Sequence, residues 1–577
     1  MSNTPNFDLK VSQILDSLKP GERVCDLTGE KWVMDEDEIK QYRIFNVPPS
    51  KYSPLTRWRL MTAYFCGWQW WYNPHAETGK PVLSYIHPAS GYKVLPDKEW
   101  FDKDFSHIIA DYDSNRSFFE QFDEFNKQVP MSASKDIKPT YNSISLVSLG
   151  CEDSYFVLAS DTKRSINCSC TNNTEDSAEI YLSKDIFNSY NVVNSYRIHG
   201  CKYVRESFDC IDSAFLFDCR NCEYCFGSSN KRYKKYLWFN KQLTKEEYEK
   251  RISEVDFGCR SSVNIYMEQF HQMIEKDTIW PENFNEAVEN CTGEYLVGCT
   301  NLTNCFAVKP GSRDLCYVAY GHGACNDCAF CAGPHLCSFC YYSVPSECTR
   351  SYFCYETFKC GYVEYCMNCI NCEHCFACSG LRHKRYCIFN KQYTENEYWE
   401  KLDEIKCNML ERGDYGEYFP AKYSPSYFPD AGALVFDASD MGKIFGALDF
   451  DPESMGAIGK ELTETTNIRN VSEIPDCIDD LDSVEWVGVP ILDTTVNRRF
   501  GFIKQEIDFY KKHRLAPPNV HFIPRVKQLY WEGNLGVFEE VTCSQCEKNI
   551  RVARNKTYPN RTIYCKSCYY KYLEQNS

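Results

Sequence analysis

Four cysteines near the C-terminus have the spacing of a metal-binding ribbon. Cys543 and Cys546 form one Cys-x2-Cys pair, and Cys565 and Cys568 form another after an eighteen-residue loop. Two such pairs can bring four thiolates into a tetrahedron, which suits Zn²⁺ because this ion imposes no geometry of its own. Four protein sulfurs leave no open coordination position. The spacing therefore predicts a structural zinc site with these four ligands.

The ribbon segment is also rich in positive charge and tyrosine. Its basic residues are Lys548, Arg551, Arg554, Lys556, Arg561, Lys566 and Lys571. Basic groups interleaved with aromatic rings could hold single-stranded nucleic acid. The competing interpretation is a solvated ribbon that docks on an acidic body, since the whole chain carries a net charge of −16. Nucleic acid thus stays open as a partner of the C-terminal ribbon.

A second group of cysteines follows a period of three residues. The group is Cys348, Cys354, Cys360, Cys366, Cys369, Cys372, Cys375 and Cys378. A helix repeats near 3.6 residues and a half-buried strand near 2, so neither produces this spacing. It is typical of short strands joined by tight corners and stacked coil on coil. The sequence predicts a cysteine-rich β-solenoid.

An internal duplication accompanies this pattern. The run Cys219–Cys225 recurs 150 residues later as Cys369–Cys375. Each copy continues into Phe-Asn-Lys-Gln and then Thr-x-x-Glu, beginning at Thr244 and Thr394. Thr-x-x-Glu is a capping box, which satisfies free N–H groups at a helix start. We therefore expect each solenoid repeat to end in a helix that covers its open edge.

The chemistry of the repeat cysteines has three interpretations. Free cysteine is among the most buried residue types, which favours stacked thiols in the solenoid interior. Metal or iron–sulfur binding stays open, although the spacing is not that of a ferredoxin. Disulfides or thiol catalysis form the third interpretation, and the odd total of 35 cysteines suits a pure disulfide framework poorly.

The two ends of the chain are related. Glu506, Tyr510 and Arg525 match Glu38, Tyr42 and Arg57 at an offset of 468 residues. We predict an α+β, multidomain protein of solenoid repeats with capping helices, flanked by small α/β end modules. The predicted segments are 1–130, a helical module with a degenerate ribbon; 140–290 and 291–420, two solenoid repeats; 421–490, a linker or insertion; and 491–577, a helical module with the zinc ribbon.

Composition limits the functional classes. The acidic net charge argues against a non-specific grip on nucleic acid or anionic membrane by the chain as a whole. No signal-like or membrane-spanning apolar run is present, so we expect a cytoplasmic or virion-associated protein that is not secreted. No catalytic constellation is found. Partial matches to calcium and phosphate loops between residues 449 and 461 lack essential positions, and we reject both.

Several motifs together resemble a family of large, cysteine-rich, zinc-ribbon-containing repeat proteins of uncharacterised function from candidate-phyla bacteria and large viruses. The matching motifs are Cys25-x2-Thr28-Gly29, Pro48-Pro49 with Arg57, Phe118–Phe122, Val129-Pro130, both copies of the duplicated Cys-x2-Cys-x2-Cys motif with its Asn-Lys-Gln and Thr-x-x-Glu segments, Ile474–Asp476, Glu506-x3-Tyr510 and the ribbon. The resemblance implies the repeat architecture and the C-terminal zinc site, and it implies no activity. Members tend to carry a second ribbon near the N-terminus, and here the corresponding stretch 72–102 has no cysteine.

These patterns favour a zinc-binding repeat protein that acts as a structural or protein-interaction scaffold. Repeats offer long surfaces, and the predicted zinc site is of the closed structural kind. Two alternatives from other classes remain: a nucleic-acid-associated protein that uses the basic ribbon, and a thiol redox or metal-cluster enzyme that uses the repeat cysteines. The enzyme alternative requires at least one accessible thiol with a low pKa.

Overall fold

The chain, described here by a computed structural model, mixes helices with many short strands and forms two units. The structure describes residues 2–136, 138–448 and 468–577. One unit comprises residues 2–133 and 284–448; the other comprises 134–136, 138–283 and 468–577. The rejected loop matches at 449–461 lie outside the described residues. Within the described ranges, no helix is long and apolar enough to cross a membrane.

Residues 2–133 form helices and hairpins. The helices are α1 (Pro5–Ser17), α2 (Glu36–Phe45), α3 (Pro54–Thr62), α4 (Asp97–Asp102) and α5 (Phe118–Asn126), and the strands β1 to β6 are Gly21–Val24, Lys31–Met34, Trp71–Pro74, Pro81–Ser84, Val94–Leu95 and Met131–Ser132. Asp35 caps α2 by accepting the N–H of Glu38 at 2.8 Å, and Ser53 caps α3 by accepting that of Thr56 at 3.2 Å. Helix α2 ends at Phe45, ahead of Pro48 and Pro49.

The segment from 138 to 283 is dominated by short parallel strands. Strands β7 to β21 are Ile144–Leu146, Tyr155–Leu158, Thr162–Lys163, Ile166–Ser169, Asn172–Glu175, Ala178–Tyr181, Lys184–Phe187, Tyr190–Val193, Tyr196–His199, Lys202–Arg205, Phe208–Ile211, Ala214–Phe217, Phe226–Ser229, Leu237–Trp238 and Lys241–Gln242; α6 (Lys245–Ser253), α7 (Arg260–Gln272) and β22 (Ile279–Pro281) follow. Strands alternate between two parallel sheets. In most of the parallel pairings the partners are twelve residues apart, as Ile180 and Val192 are, whereas β8 and β10 pair at a spacing of eleven, as Tyr155 and Ile166 do. We call β7 to β20 the first stack.

A left-handed backbone residue at every third position turns the chain at each corner of this stack. Glu206, Asp209 and Asp212 have φ values of 53°, 56° and 46°. Asn and Asp tolerate this conformation better than most residues, because their short polar side chains bond locally. The residue after nearly every corner is buried, as Ser207 and Cys210 are. The inward positions of the stack therefore recur every three residues, which is the period of the cysteines.

A second stack occupies residues 289–392. Strands β23 to β32 are Glu289–Glu294, Thr300–Phe306, Arg313–Cys316, Val344–Ser346, Thr349–Tyr352, Tyr355–Phe358, Gly361–Glu364, Glu373–Phe376, Arg385–Ile388 and Lys391–Gln392, and α8 (Glu395–Arg412) follows. Its repeat length varies: Thr300 pairs with Arg313, Ala329 with Tyr341 and Tyr341 with Tyr352. Because the repeat length changes, the three-residue pattern of inward positions is interrupted between residues 343 and 348. Within the segment predicted as a linker, residues 421–447 contribute to a buried apolar cluster with α3.

Both stacks end in the same way. The last parallel strand folds back into an antiparallel partner, β20 with β21 and β31 with β32. The amide oxygens of Asn240 and Asn390 each accept a backbone N–H of the preceding turn, from Ser229 and Ser379, at 3.0 Å. The predicted capping boxes are confirmed at the starts of α6 and α8. The repeated Asn-Lys-Gln segment thus bonds groups that the next turn of a longer stack would have paired.

Within residues 468–577, the part from residue 491 onward repeats the element order of residues 21–102. Strands β33 to β38 are Arg469–Asn470, Ile491–Asp493, Arg498–Phe500, Asn534–Thr542, Asn549–Asn555 and Thr562–Tyr564; the helices are α9 (Ser483–Trp486), α10 (Lys504–Lys512), α11 (Phe522–Glu532) and α12 (Lys566–Asn576). In each case a hairpin precedes two helices, a second hairpin, a strand and a helix. The relation predicted between the two ends of the chain therefore extends to their structure.

The residues that match at an offset of 468 form equivalent buried ion pairs. In the first unit Arg57 pairs with Glu38, Tyr42 donates to the same carboxylate, and the guanidinium lies 3.7 Å from the ring centre of Phe330 in the second stack. In the second unit Arg525 lies 3.7 Å from Glu506, the residue that matches Glu38, and it also pairs with Glu179 of the first stack. Burial raises the pKa of the Glu506 carboxyl, against the opposing effect of Arg525.

Arg57→Ala should strongly destabilise the first unit. Removing one partner of a buried pair leaves an uncompensated charge on Glu38, which costs about 3–5 kcal/mol. Chemical denaturation followed by tryptophan fluorescence measures the loss. Arg116→Ala is the matched control, since the pair of Arg116 with Glu124 is exposed, and it should leave the transition unchanged. Equal free energies of unfolding for the two variants would contradict the conclusion that the buried Arg57–Glu38 pair stabilises the first unit.

Candidate metal centre

The structure brings the four predicted ligands together. The Sγ atoms of Cys543, Cys546, Cys565 and Cys568 all lie within 4.8 Å of one another. Those of Cys546 and Cys565 are 3.7 Å apart. Thiolates bound at about 2.3 Å around a tetrahedral ion are separated by about 3.8 Å, so this spacing is that of a metal-binding group. The four-cysteine cluster could hold a metal ion.

Local backbone geometry places each pair of ligands. Cys543 and Cys546 lie in the turn that joins β36 to β37, where the N–H of Cys543 donates to the carbonyl of Lys548 at 2.8 Å. Cys565 is the N-cap residue of α12, and Cys568 lies in the first turn of that helix. The N–H of Cys565 donates to Sγ of Cys543 at 3.2 Å. The hairpin turn and the helix start thus face each other across the sulfur cluster.

The surroundings of the cluster favour partial ionisation of its thiols. Burial raises the pKa of Cys543, but the backbone amides of Cys565, Gln545 and Cys546 outweigh it and leave that pKa below its usual value. The Ser567 hydroxyl is the main cause of a Cys565 pKa of about 6. The pKa of Cys568 is raised to about 12, chiefly by its hydrogen bond with Cys565. Cysteines bind metals as thiolates, so a cation in the cluster would stabilise the ionised forms that repel one another here.

Several of the basic and aromatic residues near the cluster serve internal contacts. Arg561 is buried and donates to the carbonyls of Ala553 and Tyr558. The Tyr569 ring is buried, and its hydroxyl donates to Asp218 of the first stack. Arg554 pairs with Glu539. The exposed basic residues of the segment are Lys548, Arg551, Lys556, Lys566 and Lys571.

The equivalent hairpin near the N-terminus has the same backbone bonds without cysteine. The N–H of His75 donates to the carbonyl of Lys80 at 2.7 Å, as Cys543 does to Lys548. The Nδ1 atom of His75 accepts the N–H groups of Glu77 and Thr78, where a ribbon sulfur would accept them. Nε2 of His75 lies 3.1 Å from the Glu99 carboxylate, on the helix equivalent to α12. A His–Glu contact thus lies in this hairpin where the C-terminal hairpin has its four-cysteine cluster.

Two further sites of this kind were not recognised in the sequence. Cys25, Thr28, Ser53 and Thr56 converge at the β1–β2 turn and the start of α3: the Thr56 hydroxyl lies 3.4 Å from the Cys25 sulfur, 3.4 Å from the Thr28 hydroxyl and 3.0 Å from that of Ser53. In the other unit, Asp493 accepts the N–H of His521, the N-cap residue of α11, at 2.9 Å. The signal that could have identified the first site is the two-residue gap in Cys25-x2-Thr28 and in Ser53-x2-Thr56, which is the gap of a Cys-x2-Cys pair. Of these four residues, only Cys25 has a metal-binding side chain.

Most of the repeat cysteines lie in the interior of the stacks, where their thiols form hydrogen bonds with backbone groups. Cys372, for example, is buried, and its thiol donates to the carbonyls of Ile370 and Leu381, both at 3.4 Å. Its own N–H donates to the sulfur of Cys360, one turn earlier, at 3.4 Å. Serine makes the same bonds elsewhere, since Ser195 accepts the N–H of Ser207 at 3.0 Å. Within the described ranges, no group of three or more stack cysteines meets the spacing of a metal site.

Comparisons with known proteins add no assignment. No family model and no curated protein matches the chain. One solved structure that it resembles, a protein described provisionally as an acetyltransferase from Desulfovibrio desulfuricans G20, has a TM-score of 0.09 and 8% sequence identity, over 48% of this chain and 81% of the other. A likeness of this size carries no inference about fold or activity.

Converting the Cys25 site to four thiols should create a metal site. The variant Thr28→Cys, Ser53→Cys, Thr56→Cys places sulfurs at positions whose side chains already converge within hydrogen-bonding distance. We expect one metal ion per chain more than in the unmodified protein, measured by elemental analysis after gel filtration. Adding Cys25→Ser to this variant is the control and should remove that extra ion. An unchanged metal content in a folded triple variant would show that this turn is not a ribbon equivalent.

Proposed function

We propose that the chain is a zinc-binding repeat protein whose two stacks are β-solenoids and which acts as a structural or protein-interaction scaffold. The observation that carries the proposal is the use of the inward cysteines. The Cys360 thiol, for example, accepts the N–H of Cys372 and donates to the carbonyl of Cys369, both in its own stack. Thiols engaged in this way stabilise a repeat and are poorly placed to react with a substrate.

The solenoid assignment is supported by the twelve-residue register and by the corners. Each strand of the first stack pairs in parallel with the strand one repeat later, and left-handed residues recur every third position. In such an architecture each repeat contacts its neighbours, and the outer faces form extended surfaces that suit protein partners. The family resemblance noted in the sequence belongs to this proposal, as does a location in the cytoplasm or a virion.

Zinc is the metal that suits the four-cysteine cluster best. An all-sulfur, tetrahedral donor set favours Zn²⁺ among common cellular cations, and it is of the closed structural type. A bound ion would tie the β36–β37 turn to the start of α12. That helix carries Tyr569, which donates to the buried Asp218 carboxylate of the first stack. The proposed role of the metal is therefore to hold the end module in the form that docks on the stack.

The two alternatives receive less support. A nucleic-acid surface on the ribbon would have to use its exposed Lys and Arg residues without Arg561 and Tyr569, which are buried. Arg232 and Arg382 also make internal contacts, the first with Asp218 and the second with the carbonyl of Phe101. A thiol enzyme requires an accessible low-pKa cysteine. Burial raises the pKa of stack thiols such as Cys201, to about 12. Hydrogen bonds from neighbouring thiols lower the pKa of others, such as Cys372, but these are buried and therefore not accessible.

Metal analysis combined with thiol labelling tests the proposal. We expect about one zinc ion per chain and very slow alkylation of the buried stack cysteines at pH 8, because the reagent cannot reach a thiol in the interior of a stack. Iodoacetamide labelling of the native protein, followed by peptide mass spectrometry, identifies the reactive sites. Cys546→Ser with Cys568→Ser is the matched variant; it should lose the zinc and leave the stack thiols protected.

Two outcomes would contradict the proposal. Several metal ions per chain, or iron with sulfide, would make the repeat cysteines metal ligands. Rapid labelling of a cysteine in the stacks of the native protein would place a reactive thiol there and favour the redox alternative.

A further inference from the structure

One pair of cysteines differs from all the others. Cys259 and Cys477 form a disulfide bond, whereas the remaining 33 cysteines are free. Both members of the pair are half-buried, in contrast to the buried stack thiols. In a reducing compartment, disulfides are typically transient or redox-sensing rather than structural. This contrast makes the bond a candidate for reversible chemistry.

The bond joins two segments of the second unit that are distant in sequence. Cys259 is the N-cap residue of α7, and Cys477 lies between β33 and α9, at a sequence separation of 218. Two backbone bonds flank it: the N–H of Ile478 donates to the carbonyl of Gly258 at 2.8 Å, and that of Arg260 donates to the carbonyl of Asp476 at 3.0 Å. The segment that leads into the C-terminal module is thus held to α7 both covalently and by hydrogen bonds.

The surroundings also accommodate the reduced pair. Oδ2 of Asp256 lies 3.3 Å from Sγ of Cys259 and can accept the proton of a free thiol there. The Asp476 carboxylate accepts the N–H and the hydroxyl of Ser261, at 3.1 and 2.6 Å, and so caps α7 without any help from the sulfurs. These contacts do not require the disulfide, so the two segments can stay aligned when the bond opens.

We propose that Cys259 and Cys477 form a reversible redox clasp that fastens the segment around residues 474–480 to α7. The reductant is a low-molecular-weight thiol of the glutathione class. Its thiolate attacks one protein sulfur, the S–S bond breaks, and the other sulfur leaves as a thiolate that takes up a proton. A second thiol resolves the mixed disulfide, so that two protein thiols and one small-molecule disulfide are produced. Closure is the reverse exchange with the oxidised small molecule.

The test uses the full-length protein in glutathione buffers of graded ratio. Free thiols are trapped with iodoacetamide under native conditions, and the peptides are identified by mass spectrometry. We expect exactly these two cysteines to become labelled as the buffer becomes reducing and to pair again when it is reoxidised. Hydrogen exchange at 474–480 should be faster in the reduced protein, while the metal content stays the same.

The variant Cys259→Ser with Cys477→Ser is the control. It should fold, and its exchange at 474–480 should match that of the reduced protein in every buffer. The proposal is overturned if the bond resists fully reduced glutathione in the folded protein, which would make it an inert structural disulfide. It is also overturned if both thiols stay free under oxidising buffer, or if opening the bond leaves hydrogen exchange in the segment unchanged.

Discussion

The stacks depend on one constraint: every turn of backbone must satisfy its inward-facing polar groups with a small side chain. A left-handed residue at each third position turns the chain so sharply that one inward side chain per corner is all that fits. Serine and cysteine at those positions accept an N–H from the next turn and donate to a carbonyl, while Ile, Val and Leu fill the space between them. Buried polar groups left without such partners would cost about 1–3 kcal/mol each.

The end modules are fixed by charge in an otherwise apolar setting. Arg57 with Glu38, and Arg525 with Glu506, are buried ion pairs at equivalent places in the two units, and Arg525 also pairs with Glu179 of the first stack. A third buried pair, Arg205 with Glu532, joins the first stack to α11. Such pairs are costly when incomplete, so they favour a single docking arrangement over many similar ones. In the second unit Tyr569 adds a further link, because its hydroxyl donates to Asp218 of the first stack.

Much of this architecture follows from spacing alone. The three-residue period, the 150-residue duplication, both capping boxes and the relation between the chain ends are all visible in the sequence. The grouping of 2–133 with 284–448 is not, because the chain places another repeat between these segments and local patterns carry no record of tertiary partners. The ribbon-like turns at Cys25 and Asp493 were not predicted, because hydroxyl, imidazole and carboxylate groups occupy positions where a Cys-x2-Cys motif would have cysteines. The Asn and Asp residues at the corners were a usable signal for the left-handed positions.

Substitutions at Cys360 can distinguish hydrogen bonding from apolar packing as the role of the inward thiols. Cys360 accepts the N–H of Cys372 at 3.4 Å and donates to the carbonyl of Cys369 at 3.3 Å. The measurement is the free energy of unfolding of Cys360→Ser and Cys360→Val by chemical denaturation. The account predicts that serine, which can make both bonds, stays within about 1 kcal/mol of the unmodified protein, and that valine loses about 1–3 kcal/mol. A valine variant as stable as the serine variant would contradict it, because the inward thiols would then act only as apolar filling.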